Sequence, residues 1–190
     1  PHIIGHSMGG LSAFVLAHEH EASIGKVISI DGLPFIGPIF TRSNATSVEM
    51  LSAQASNFKT MFANMSAAQL AAQAQQGVFI QASALEDQAR IIDMARNSDP
   101  KTVANAMYDV MQTDMRLALT EVKTEMLMLG ASGAFTEATQ HEQVASLYKA
   151  QFAKIPPAKV VMNTDVRHFM MFDDLSWLTK QITSFLEEQL

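Results

Sequence analysis

The chain of 190 residues contains no cysteine, which excludes disulfide bonds, thiolate metal sites and a cysteine nucleophile. No apolar run approaches the roughly 20 residues that a membrane-spanning helix needs. Basic residues are few, since 13 lysines and arginines stand against 19 aspartates and glutamates, for a formal net charge of −6. Phosphate backbones require a basic patch, so this balance argues against nucleic acid as a partner. The remainder is an ordinary globular composition, 48% hydrophobic and 17% charged, with enough residues for one sizeable core.

The most informative pattern lies at residues 5–10, which read GHSMGG and contain the motif G-x-S-x-G. A short apolar stretch precedes the motif and a helical pattern follows it. A strand, a sharp turn and a helix form the setting in which this motif makes a nucleophile elbow. Ser7 is then expected at the tip of a strained turn with positive φ, so Gly5 and Gly9 must be small. Gly10 is expected to let the helix pack close to the sheet.

On this motif and its setting, the chain resembles the α/β-hydrolase fold family, specifically its lipase, esterase and proline-iminopeptidase-like members. The resemblance implies a serine nucleophile at Ser7 and an oxyanion hole with the Met8 N–H as one donor. In that family the elbow follows the fifth strand of an eight-stranded sheet, whereas here it starts at residue 5. We therefore expect this chain to be the C-terminal part of a longer protein, with the second oxyanion donor in the missing part.

Predicted strands alternate with helices at both ends of the chain, which is typical of a parallel α/β sheet. The strands are predicted over 2–4, 26–30, 125–129 and 158–162. Between the second and third strands, residues 46–116 have a helical pattern with four start signals. These signals are Thr46 with Glu49, Ser66 with Gln69, Ser83 with Glu86, and Asp99-Pro100.

The resemblance implies that such a helical insertion forms a cap over the active site. We expect residues 1–36 and 117–190 to form the C-terminal half of the α/β-hydrolase core, and residues 37–116 to form the helical cap. The predicted fold is therefore a partial parallel α/β-hydrolase sheet with flanking helices and an inserted helical cap.

A serine hydroxyl is a weak nucleophile and needs a base. Of the six histidines, His168 follows the last predicted strand, in a stretch that resembles the histidine loop of the family. Catalytic groups in parallel sheets collect at the carboxyl ends of the strands, where Ser7 and His168 are both predicted. His6 is predicted to pack beside the elbow. No spacing of histidine and carboxylate residues indicates a metal site, and no cofactor is predicted.

The acid that orients His168 stays open among three carboxylates. The family usually places it after strand 125–129, where Gly133 takes the expected position and Glu137 is the nearest carboxylate. Other α/β-hydrolases take the acid from the end of the preceding strand, where Asp31 stands. Asp31 is the preferred candidate, and Glu137 and Asp165 are the alternatives, because all three satisfy the chain order serine, acid, histidine.

Apolar side chains in the predicted cap and near His168 favour an apolar acyl or alcohol group as substrate. They are Met50, Met61, Phe62, Met65, Phe79, Met107, Met111, Met115, Met170 and Met171. We expect a serine hydrolase that cleaves a carboxylic ester or related acyl bond of an apolar small molecule. An acyltransferase on the same scaffold is a further possibility.

The alternative from another class is a non-catalytic or incomplete fragment. Because the first predicted strand has a free edge, the chain would then pair with a second copy or need its missing N-terminal segment. The compartment is open between cytoplasm and periplasm, since any signal peptide would precede residue 1.

Overall fold

The computed structural model describes residues 1–188 and contains a sheet of four parallel strands in the order β1-β2-β3-β4. The strands are β1 Ile3–His6, β2 Val27–Ile30, β3 Met126–Ala131 and β4 Ala158–Asn163. The helices in this range are α1 Met8–Glu19, α2 Gly37–Thr41, α3 Val48–Ala63, α4 Ala67–Gly77, α5 Leu85–Arg96, α6 Pro100–Gln112, α7 Ala138–Phe152, α8 Met170–Asp173 and α9 Leu175–Glu187. The predicted α/β class with a parallel sheet is confirmed.

Each central strand buries both of its faces. In β2, Val27 packs into one apolar cluster, while Ile28 and Ile30 pack into another on the opposite face. In β3, Met126 and Leu127 divide between the same two clusters. Successive side chains of a strand point to opposite faces, so a sheet that is covered on both sides needs the nearly continuous apolar runs seen in this sequence.

Helices cover the two faces of the sheet. On one face lie α1 and α7, where the rings of Phe14 and Phe152 meet edge to face with centroids 5.7 Å apart. On the other face lies α9, which buries Leu178 and Phe185 against β2 and β3. Among residues 1–188, no helix combines the length and apolar character needed to cross a membrane.

The segment between β2 and β3 has an apolar cluster of its own. Helices α3, α4 and α6 contribute the buried residues Phe62, Leu70 and Ala104. Phe58 stacks on Phe62 with ring centroids 3.9 Å apart. The four helices expected between residues 46 and 116 are α3 to α6, and the short α2 precedes them. The division of the chain into core and cap stays a prediction.

Two of the four helix start signals lie where the sequence suggests. Ser66 caps α4 in a reciprocal capping box and the Asp99 side chain caps α6. Thr46 and Ser83 do not cap helices, because α3 and α5 each begin one residue later than those signals predict. The Thr46 hydroxyl bonds to the backbone of the preceding turn, and Ser83 bonds instead to Asp173.

Candidate active site

Ser7 is the single residue between β1 and α1. Its backbone has φ 55° and ψ −119°, a conformation that residues with side chains rarely adopt. The Ser7 N–H donates to the Ile30 carbonyl at 2.8 Å, and its carbonyl accepts from the Gly10 N–H at 2.9 Å. The neighbouring strand and the first turn of α1 therefore hold this strained residue. The positive φ expected for Ser7 is confirmed, and its hydroxyl makes no capping bond to the helix.

The glycines of the motif have different reasons to be small. A Cβ on Gly5 would overlap the backbone of Gly9, and one on Gly10 would overlap the Ser29 side chain. A Cβ on Gly9 would meet nothing within 4 Å. The expectation that Gly9 itself must lack a side chain is therefore wrong. Steric crowding falls on Gly5, which packs against the Gly9 carbonyl, and on Gly10, which brings α1 close to β2.

Met8 occupies the first position of α1, directly after Ser7. The first N–H groups of a helix have no acceptor within the helix, and they lie at the positive end of its dipole. The Met8 side chain is 49% exposed, so this turn reaches the surface of the protein. The Met8 N–H thus lies in the first turn of α1, one residue after Ser7.

Asp31 and His168 meet at the carboxyl edge of the sheet. Asp31 follows β2 and has φ 51°, and His168 lies in the loop after β4. The Nδ1 atom of His168 is 2.6 Å from Oδ2 of Asp31. Oδ1 of Asp31 accepts from the Ala131 N–H at 3.0 Å and from the Tyr148 hydroxyl at 2.9 Å. The Asp31 side chain is only 8% exposed, and these three donors satisfy its buried carboxylate.

The two alternative carboxylates lie elsewhere. Glu137 is the N-cap of α7, where its side chain forms a capping box with Gln140. Asp165 is exposed on the loop after β4, and its N–H bonds to the Asn163 side chain. Among residues 1–188, Asp31 is therefore the carboxylate that the fold brings within hydrogen-bond distance of the His168 ring.

Solved structures match this chain over nearly its whole length. A hydrolase from Pseudomonas aeruginosa has a TM-score of 0.72 and 18% identity, and the match covers 98% of this chain and 64% of that one. A thermophilic esterase from Thermogutta terrifontis has a TM-score of 0.74 and 18% identity, and the match covers 97% of this chain and 64% of the esterase. An alpha/beta hydrolase enzyme from a Medee basin deep-sea metagenome library has a TM-score of 0.65 and 11% identity. That match covers 100% of this chain and 66% of the enzyme.

The chain has the α/β-hydrolase fold. It spans somewhat less than two thirds of the length of these solved structures. No family model and no curated protein matches the sequence. Because one fold hosts many activities, the chemistry of this site depends on its own residues.

His6 contacts His168 through its ring and through a hydrogen bond. The ring centroids are 4.6 Å apart, and His6 Nε2 lies 3.0 Å from the His168 carbonyl oxygen. A carbonyl only accepts, so Nε2 carries the proton. Burial, followed by the neighbouring His168, lowers the pKa of His6. His6 therefore favours its neutral form while it holds the backbone of His168, a contact beyond the packing that the sequence predicted.

The histidine loop, defined as residues 164–174, bonds to the contact segment, residues 78–83, of the stretch between β2 and β3. The Arg167 guanidinium donates to the carbonyls of Phe79 and Ala82 at 2.5 and 2.9 Å. The Phe169 N–H donates to the Gln81 carbonyl at 2.7 Å. Apolar contacts add to these bonds, because Val78, Ala82 and Ile91 pack with Phe169 and Phe172 in one cluster. The contact segment and α5 therefore help to hold the loop that carries His168 in place.

The apolar residues from which an apolar substrate was predicted fall into three groups by burial. Phe62, Met111, Met115 and Met170 are buried, so they belong to the core and do not line an open pocket. Met65, Met107 and Met171 are half-buried. Met50, Met61 and Phe79 are exposed. Of the exposed group, Phe79 belongs to the contact segment beside His168.

Tyr148 is the residue of this site that sequence reasoning missed. It lies on the buried face of α7 and reaches Asp31 across 117 positions of the chain. Nothing in the sequence links a tyrosine on one helix to an aspartate at the end of a distant strand. Among residues 1–188, no group of three or more histidine, aspartate or glutamate side chains is placed to hold a metal ion.

Proposed function

We propose that this chain carries the catalytic residues of a serine hydrolase that acts on a carboxylic ester or related acyl bond of an apolar small molecule. Ser7 is the nucleophile, His168 the base and Asp31 the acid. The observation that carries the proposal is the 2.6 Å contact between His168 Nδ1 and Asp31 Oδ2, at the sheet edge where Ser7 sits on a strained turn. A buried carboxylate on Nδ1 holds the imidazole in the tautomer whose Nε2 accepts a proton.

In the first half of the reaction, the Ser7 Oγ attacks the acyl carbon and His168 Nε2 takes the hydroxyl proton. The carbonyl π bond becomes an oxyanion, which the Met8 N–H at the start of α1 stabilises as one donor. The tetrahedral intermediate then collapses, the bond to the leaving oxygen breaks, and the proton on His168 passes to that oxygen. The alcohol departs and the acyl group remains on Ser7.

In the second half, a water molecule attacks the acyl carbon while His168 Nε2 takes one of its protons. The bond to Ser7 Oγ breaks and the proton returns to that oxygen, which releases the carboxylic acid. Asp31 stays ionised throughout and stabilises the imidazolium that forms twice in each cycle.

An apolar substrate is favoured by the side chains around the histidine loop. Phe79 and Ile80 of the contact segment are 56% and 44% exposed, and the Ile80 carbonyl lies 3.4 Å from the His168 N–H. Met8, next to Ser7, is also exposed. Large apolar side chains grouped beside a reactive centre suit an apolar group. The matched protein from Thermogutta terrifontis is an esterase, which is consistent with this bond class.

We also propose that residues 37–116 form a cap on the hydrolase core. These residues hold the helices α2 to α6 and a separate apolar cluster. Their contact segment bonds to the histidine loop, as a lid over the active site requires. In this proposal the rest of the insertion shapes the acyl or alcohol subsite.

The test is intact-mass labelling with a fluorophosphonate, which forms a bond from Ser7 Oγ to phosphorus and expels fluoride. The wild-type chain is compared with Ser7→Ala and with Ser12→Ala as a matched control. Ser12 is an exposed serine one turn further along α1, and its hydroxyl bonds to the Met8 carbonyl. We expect one adduct on the wild type and on Ser12→Ala, and none on Ser7→Ala.

An adduct that persists in Ser7→Ala overturns the assignment of the nucleophile. A folded wild-type chain that forms no adduct overturns the activity of this chain, and it favours the non-catalytic or incomplete fragment instead. Size measurement on the same sample then separates a self-associated chain from a monomer of 20.8 kDa.

A further inference from the structure

Tyr148 reaches the carboxylate of Asp31 from the opposite side to His168. It lies on α7 and is only 6% exposed, and its ring packs in the apolar cluster on the α1 and α7 face of the sheet. Its hydroxyl donates to Oδ1 of Asp31 at 2.9 Å, while His168 Nδ1 bonds to Oδ2 at 2.6 Å. The two side chains therefore share one carboxylate, one on each oxygen.

The backbone of β3 leaves room for this contact. A Cβ on Gly130 would lie 2.7 Å from Cδ1 of Tyr148 and would also overlap the side chain of Met162. Such distances are too short for real contacts, so the Tyr148 ring lies against β3 only because residue 130 is glycine. The next residue along β3, Ala131, supplies the second donor to Oδ1 of Asp31. One strand thus provides both the space and a matching hydrogen bond.

We propose that Tyr148 is a positioning residue of the active site: it orients the Asp31 carboxylate and withdraws part of its negative charge, and so sets the pH above which His168 acts as base. This inference rests on the proposed function, because it assigns a role within the same triad. Two donors on Oδ1 fix the rotation of the carboxylate and leave Oδ2 directed at the imidazole. Hydrogen bonds to a buried charge are strong, so the phenol competes effectively with His168 for the charge of Asp31.

Tyr148 remains a donor at every working pH. Burial, followed by the charge of Asp31 and their hydrogen bond, raises the pKa of Tyr148 well above its ordinary value. The phenol therefore keeps its proton across the pH range of the test. The hydrogen bond from Tyr148 to Asp31 is therefore lost only when Tyr148 is substituted, and the effect of that loss can be measured.

The charged and titratable groups around His168 are few. Asp31 faces it from the end of β2 and His6 from β1. Within the histidine loop, Arg167 bonds to backbone carbonyls of the contact segment, and Asp173 accepts from Ser83 and from the Arg167 N–H. Asp31 is therefore the carboxylate paired with the imidazole, and Tyr148 acts on His168 through it.

The test compares wild type, Tyr148→Phe and Tyr108→Phe. Tyr148→Phe removes one oxygen atom and keeps the ring against Gly130. Tyr108→Phe removes the other phenol oxygen of the chain, from a half-buried ring on α6 that carries Lys59 over its face. The pH midpoint of the His168 imidazole is measured by NMR, with the signal assigned by its absence in His168→Gln. The rate of fluorophosphonate labelling at Ser7 is measured over the same pH range.

Without the hydrogen bond from the phenol, the negative charge of Asp31 interacts more strongly with the imidazole and stabilises the imidazolium. We expect Tyr148→Phe to move the His168 midpoint to higher pH by on the order of half a unit. Labelling below the midpoint should then slow by about threefold. Tyr108→Phe should leave both quantities at the wild-type values. In an Asp31→Asn background, where the charge is absent, Tyr148→Phe should no longer move the midpoint.

A folded Tyr148→Phe with the wild-type midpoint overturns the inference, and it leaves Tyr148 as a core residue only. The NMR measurement needs no activity, so this outcome is distinct from failure of the proposed function. If the wild type is not labelled but the midpoint still moves in Tyr148→Phe, the proposed function fails and the coupling of Tyr148 to His168 stands. If neither the midpoint nor the labelling profile changes, Tyr148 has no role in the site.

Discussion

The Asp173 carboxylate accepts two hydrogen bonds from Ser83, which lies 90 positions earlier in the chain, at 2.8 Å from the N–H and 2.7 Å from Oγ. Its other oxygen accepts from the Arg167 N–H at 2.7 Å. One carboxylate thus joins the contact segment to the histidine loop. Because His168 follows Arg167 directly, the position of this proposed base depends on a bond to the contact segment.

We expect Asp173→Asn to weaken both the fold and the reaction. The amide presents an NH₂ group to donors, so at least one of the three bonds is lost. Ser83 is exposed, and Arg167 and Asp173 are half-buried, so the cost is about 1 kcal/mol, or a fall in Tm of about 2–4 °C for a chain of this size. The labelling rate at Ser7 should fall as well, because His168 is held less firmly. Thermal unfolding and fluorophosphonate labelling measure the two effects.

Two further variants make this prediction specific. Ser83→Ala removes one of the three bonds and should give a smaller loss than Asp173→Asn. Asp165→Asn makes the same chemical change at an exposed position of the histidine loop and should change neither Tm nor labelling. If Asp165→Asn and Asp173→Asn behave alike, the bond to the contact segment does not hold His168 in place.

The elements of the core were predictable from sequence because each has a local cause. Continuous apolar runs mark strands that are buried on both faces, as in β3, and the glycines around Ser7 mark the sharp turn into α1. Helix starts were harder to predict. Ser83, for example, has the spacing of a capping residue, but its hydroxyl donates a hydrogen bond to Asp173. A partner 90 positions away leaves no trace in the local pattern.

The site could be predicted only as a set of candidates. Chain order admits Asp31, Glu137 and Asp165 equally, and spatial distance alone separates them. Tyr148 was missed for the same reason, since its contact with Asp31 depends on how α7 crosses β3 at Gly130. Long-range side-chain contacts depend on how distant elements pack together, and the hydrophobic periodicity of one segment does not predict that packing.

Ser7→Gly should be more stable than Ser7→Ala. The backbone of Ser7 at φ 55° and ψ −119° costs on the order of 1–3 kcal/mol for a residue with a side chain. Glycine removes this strain and loses about 0.5–1 kcal/mol through the greater freedom of its unfolded chain, which leaves a net gain of about 1 kcal/mol. Urea unfolding of the two variants measures the difference.

Both Ser7→Gly and Ser7→Ala lack the hydroxyl that forms the fluorophosphonate adduct. The difference between their free energies of unfolding therefore reports backbone strain and not the chemistry of the hydroxyl. A Ser7→Gly variant that is less stable than Ser7→Ala would falsify the view that the elbow stores strain. A more stable Ser7→Gly would show that the strained backbone of Ser7, the proposed nucleophile, lowers the stability of the fold.

Gly5→Ala and Gly9→Ala should have opposite effects, although both alter the same motif. The Cβ of Gly5→Ala would overlap the Gly9 carbonyl, and backbone cannot move aside cheaply, so we expect a loss of several kcal/mol or failure to fold. Gly9→Ala meets no atom within 4 Å and replaces a helical glycine, which stabilises by at most about 1 kcal/mol. Urea unfolding distinguishes the two, and equal losses would contradict the steric explanation.

Acidification should destabilise the fold partly through His6. Burial, followed by the neighbouring His168, lowers the pKa of His6 below the ordinary 6.5, so the unfolded chain binds this proton more readily than the folded chain. The contribution of neutral His6 is therefore complete above pH 6.5, and it is lost as the pH falls toward the folded-state pKa. The free energy of unfolding of the wild type should decrease across this window.

His6→Gln keeps an N–H donor for the His168 carbonyl but does not titrate. Its free energy of unfolding should therefore fall less between pH 7.5 and 5.5 than that of the wild type, as measured by urea unfolding at each pH. His18→Gln is the control, because His18 is exposed in the last turn of α1. If both variants follow the wild-type slope, His6 is not held neutral by its contact with His168.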